Sequence, residues 1–69
     1  MNWTISAAGT PDTIKNSLDG QFAAIPDSPV VAHVQGTIRE FIENLDPQLS
    51  VSVFAECGDE QLAIRINSE

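Results

Sequence analysis

Hydrophobic periodicity changes twice along this chain. Near its start Trp3, Ile5 and Ala7 alternate with Thr4, Ser6 and Ala8, the period of two that sends successive side chains of a strand to opposite faces. The same period returns in Ser50–Ile66, where Val51, Val53, Ala55 and Cys57 face one way and Ser50, Ser52, Phe54 and Glu56 the other. Between these stretches apolar residues recur in steps of three and four: Ile14, Leu18, Phe22 and Ile25, then Val31, Val34, Ile38, Phe41, Ile42 and Leu45. That spacing draws a stripe along a helix.

The boundaries carry their own chemistry. Gly9 ends the first strand, and Thr10-Pro11-Asp12 begins a helix: Thr caps free amides, Pro is tolerated at the first helical position and Asp suits the positive end of the dipole. Gly20 weakens that helix by about 1 kcal/mol relative to Ala and marks a close contact or an early end. Ser28-Pro29 restarts the pattern, so a second helix is expected from about 29 to 45, stopped by Asp46-Pro47. In the closing hairpin, a loop of four residues from Gly58 to Gln61 around a type I turn sets Cys57 opposite Leu62, Ala55 opposite Ile64 and Val53 opposite Ile66. Its inward set is Val51, Val53, Ala55, Leu62, Ile64 and Ile66, and Trp3 is expected to anchor the core.

The expected architecture is therefore α+β: a single domain over residues 1–69 with the order β-α-α-β-β, a three-stranded, mainly antiparallel sheet and a two-helix hairpin packed on one face. Two helices cover one face of such a sheet and no more. The other face, carrying Thr4, Ser6, Ser50, Ser52, Phe54 and Arg65, is left bare by this count of layers. It is short of the Lys, Glu and Thr of an ordinary wet face, and small side chains surround one Phe. A partner pressed on that face explains its composition. The rival explanation is local, because the register places Phe54 opposite Arg65, whose guanidinium can stack on the ring.

Size points the same way. A chain of 69 residues buries only about 60% of the surface its unfolded form exposes, and such domains usually need a disulfide, a metal or oligomerisation. Cys57 is the single cysteine and His33 the single histidine, which leaves neither an internal disulfide nor a Cys/His zinc set. Oligomerisation remains, with the open-face residues as the expected interface.

Charge narrows the partners. Lys15, Arg39 and Arg65 stand against ten carboxylates, for a net charge of −7, too few cations for a footprint on nucleic acid or an anionic membrane. The acidity reads either as solubility through net charge or as mimicry of nucleic acid, for which Glu40, Glu43 and Asp46 fall within two turns of the second helix. The start MNWTISAAG has no basic region followed by an apolar run, and no stretch approaches a membrane span. A protein neither secreted nor membrane-bound is expected.

Candidates for chemistry are few. His33 lacks an orienting acid in the sequence pattern, Cys57 lacks a base to lower its pKa, and Glu56, Asp59 and Glu60 lack the spacing of a calcium loop. No dinucleotide, phosphate-loop, nucleophile-elbow or zinc-protease motif occurs. The expectation is a non-enzymatic protein without cofactor or metal, bound to protein: itself, or a larger assembly.

Three stretches, NWTISAAGTP, SPVVAHVQ and SVSVFAECG, together resemble a loose group of small proteins encoded by tailed bacteriophages. Those open with Trp in an alternating strand ending at Gly, and close with a Ser/Val strand, a Gly-containing turn and a last apolar strand. The likeness runs over nearly the whole chain and departs from the pattern at Glu56-Cys57, where a small or polar pair is more usual. It implies a phage origin, hence a virion component or an accessory factor in the host cytoplasm, whose partner is itself, a phage structural protein or a host protein, and it transfers no catalytic residue. The alternative function is a small acidic inhibitor of a host factor or defence system.

Overall fold

The computed structural model describes residues 2–68. Strand β1 (Trp3–Gly9) leads into helices α1 (Pro11–Ala23) and α2 (Pro29–Glu43), and strands β2 (Val51–Cys57) and β3 (Leu62–Ser68) close the domain. The sheet order is β1-β2-β3, antiparallel throughout. β2 is thus the centre, with β1 paired from Trp3↔Cys57 to Gly9↔Val51 and β3 from Cys57↔Leu62 to Val51↔Ser68. The α+β architecture and hairpin register expected from the periodicity are both present, including Ala55↔Ile64 and Val53↔Ile66.

One face of the sheet and the two helical stripes meet in a single core. Ile5, Val51, Val53 and Ala55 come from the strands, Ile14, Leu18 and Phe22 from α1, and Val31, Val34, Ile38 and Ile42 from α2, all buried. Trp3 is half-buried at the edge of this cluster, its ring edge-on to Phe22 at 6.2 Å and 71°, a favoured aromatic geometry. No polar or charged side chain is buried among the described residues.

The connections follow from identifiable residues. Gly9 takes φ 139°, a conformation open to glycine and strained for other residues, and this turn delivers Pro11 to the start of α1. Ser28 caps α2 as expected, its hydroxyl accepting the Val31 N–H at 3.1 Å. After α2, Asp46 accepts the Gln48 N–H through its carboxylate at 2.9 Å and the Leu49 N–H through its carbonyl at 3.0 Å. That Asx turn sends the chain back toward β2.

Several expectations are corrected. The Thr10 hydroxyl makes no capping bond; it lies 3.1 Å from the Thr13 hydroxyl, and Pro11 has no N–H to offer the first turn. Gly20 neither ends α1 nor marks a close approach, since a Cβ there would meet nothing within 4 Å. α2 stops at Glu43, two residues before the expected end, and Leu45 packs from the turn beyond. Phe41 is 49% exposed: it lies about three turns from Val30, also exposed, on a flank of α2 outside the covered stripe. Leu62 is 46% exposed, and Ile64 and Ile66 are only half-buried. α1 lies directly on β1 and β2, whereas α2 packs on α1 and stands farther from the strands, so β3 receives less cover.

Candidate functional site: the open face of the sheet

Strand alternation sends every second residue away from the helices, and the ladder aligns them in three rows. Ala8, Ser52 and Asn67 form one, Ser6, Phe54 and Arg65 the middle one, and Thr4, Glu56 and Ala63 the third. Among the described residues, no helix or strand lies over them. Phe54 and Ser52, on the central strand, are half-buried by their neighbours, while Thr4, Ser6 and Arg65 on the edges are exposed. The Arg65 guanidinium sits over the Phe54 ring, 5.1 Å from its centroid, within the range of a cation–π contact.

Next to the ring the small residues Ser6, Ala8 and Ser52, with Asn67, floor a shallow depression of about 410 Å³. Its chemistry is that of contact: hydroxyls and an amide that donate and accept, methyl groups that allow close approach, one ring and one cation. Of the residues assigned to this face, Thr4, Ser6, Ser52, Phe54 and Arg65 are brought together, and Ser50 falls just before the start of β2, outside the ladder. Ala8, Glu56, Ala63 and Asn67 belong to the face as well, and the period of two already holds that information.

One participant was not legible at all. Gln21 of α1 reaches the outer edge of β1, where its amide nitrogen, Nε2, donates to the Ser6 carbonyl at 2.8 Å and its Oε1 accepts the Ser6 N–H at 3.1 Å. Nε2 also lies 3.2 Å from the Ser17 hydroxyl. A side-chain amide thereby occupies both outward backbone groups of Ser6, at the middle of this edge.

The residues considered for chemistry are dispersed. His33 is exposed on α2, and Cys57 ends β2 with its thiol 3.6 Å from the Gly58 carbonyl. Cys57 and Asp59 border a second hollow of about 310 Å³ beside Trp3, Pro26 and Val31. Among the described residues, Glu56, Asp59 and Glu60 do not gather into a metal-ligating group, and no helix is long and apolar enough to cross a membrane. No family model, curated protein or solved structure matches the chain.

Proposed function

We propose that this chain is a non-enzymatic protein-interaction module that buries the open face of its sheet against protein, in the simplest form the same face of a second copy. The observation that carries this reading is the middle row: a half-buried Phe54 between Ser6 and Arg65, with the Arg65 guanidinium over its ring and no described helix or strand covering it. The Arg65–Phe54 contact contributes about 0.5–1 kcal/mol at an exposed site, less than a small domain gains by burying a further sheet face. The depression over Ser52 gives an opposing Phe54 a place to sit, as a two-fold contact requires. The resemblance to small phage proteins supports a phage-encoded factor, acting in the virion or in the host cytoplasm.

Phe54→Glu tests the reading. It should lower the mass measured by light scattering while leaving the circular dichroism spectrum intact, and the wild-type contact should be nearly indifferent to salt. A wild-type protein whose association is untouched by Phe54→Glu would show the face to be merely solvated.

A further inference from the structure

The two edges of the sheet are not equivalent. On β1, Gln21 holds the N–H and C=O of Ser6, so these groups point away from β2, and Ser6↔Phe54 is a pair without mutual backbone hydrogen bonds. Antiparallel alternation then makes Phe54↔Arg65 a pair that exchanges both bonds. The loop agrees in parity, since the Gly58 N–H donates to the Gln61 carbonyl at 2.7 Å. It follows that Leu62, Ile64 and Ile66 direct their N–H and C=O groups to the free edge of β3. No described side chain reaches those groups as Gln21 reaches Ser6. β3 also has no Pro and no break in its ladder, and Arg65 is the one charged residue between Leu62 and Ser68, so most of the usual devices that blunt an edge are missing.

We propose that this edge is where a second copy adds its own β3, antiparallel, with Ile64 opposite Ile64 of the second copy. The register is self-complementary, as a two-fold contact must be. On the helical side it sets Leu62 against Ile66 of the second copy, covering the exposed Leu62 and the half-buried isoleucines. On the open face it sets Ala63 opposite Arg65 of the second copy. Glu56 is the neighbour of Ala63 on β2, so two strand spacings, about 10 Å, separate Glu56 from that Arg65, with only a methyl group between them. The two long side chains can meet across Ala63, and the symmetry repeats the pair. A register shifted to put Arg65 opposite Arg65 of the second copy would instead oppose like charges. The edge contact is made chiefly by the β3 backbone and by Leu62, Ile64 and Ile66, and it shares Glu56, Ala63 and Arg65 with the open face proposed above.

The test is built on the backbone. A chain of 69 residues is accessible to chemical synthesis, and N-methylation of Ile64 removes one donor from the free edge while leaving its side chain and the β2–β3 bonds in place. Sedimentation equilibrium at physiological ionic strength should show self-association weakened about tenfold or more with an unchanged circular dichroism spectrum. Glu56→Arg should weaken it as well, and the charge exchange Glu56→Arg with Arg65→Glu should restore it, which covers the case of an N-methylated chain that fails to fold. Wild-type protein that stays monomeric at about 1 mM overturns the proposal. So does association that survives N-methylation and is unchanged by Glu56→Arg alone. If Phe54→Glu alone abolishes association, the face is the contact and the edge is not.

Discussion

Replacing Gln21 by Ala removes a single side chain and two hydrogen bonds that close the outer edge of β1. Each such bond is worth about 0.5–1.5 kcal/mol net. Ordering a glutamine side chain opposes this by up to about 1.5–2 kcal/mol, but Gln21 is half-buried and already restrained by α1. Ser6 is exposed, so water takes up its freed N–H and C=O and no orphaned group adds to the loss. The balance is a destabilisation of about 1 kcal/mol, and Ala, the better helix former, makes this a low figure. For a domain of this size about 1 kcal/mol corresponds to a fall in Tm of about 4–8 °C. Thermal unfolding followed by circular dichroism reads the shift, and amide exchange measured by NMR should show the Ser6 N–H losing its protection. The variant should also associate further as its concentration rises, because a second edge has been opened. A Tm within about 1 °C of wild type, together with unchanged exchange at Ser6, would refute the account of Gln21 as an edge closure.

Two further outcomes follow from the core and the first turn. Ile38 is 1% exposed, and Ile38→Ala should cost about 2–5 kcal/mol in urea denaturation, a large share of the roughly 5–15 kcal/mol that such domains possess. Gly9→Ala should cost about 1–3 kcal/mol, because φ 139° is closed to alanine and the new Cβ would lie 3.4 Å from Thr13 Cγ2; a stability equal to wild type in the same assay would mean that the turn relaxes.

Periodicity carried the fold because burial is nearly one-sided on β1, β2 and both helices. Val51, Val53 and Ala55 against Ser52 and Phe54, or Val34 and Ile38 against Arg39 and Glu40, leave little doubt which side faces inward, and the hairpin register follows once those faces must match. The same pattern failed where burial depends on which element lies overhead. Phe41 and Leu62 fit their stripes as well as Ile42 and Ile64 do, yet Phe41 lies on a flank of α2 that no described element covers and Leu62 on a strand that neither helix lies over, and both are exposed. The open face was readable as a face, since alternation alone defines it. Gln21 was not, because a polar residue on a helix looks the same whether it meets water or the edge of a strand.

The pairing of β1 with β2 has a kinetic side. Bringing Gly9 against Val51 closes a segment on the order of 40 residues, whose entropic cost, (3/2)RT ln n, is about 3 kcal/mol plus a constant. β2 and β3 are joined through Gly58–Gln61 alone. Closing the hairpin is therefore the less costly of the two pairings, and β1 can join the sheet only by closing the long segment that holds both helices. On the ribosome β1 emerges ahead of β2, its partner in the sheet, and waits for that partner until both helices and β2 have been made. Throughout that interval Trp3 and Ile5 travel without the sheet that later shields them.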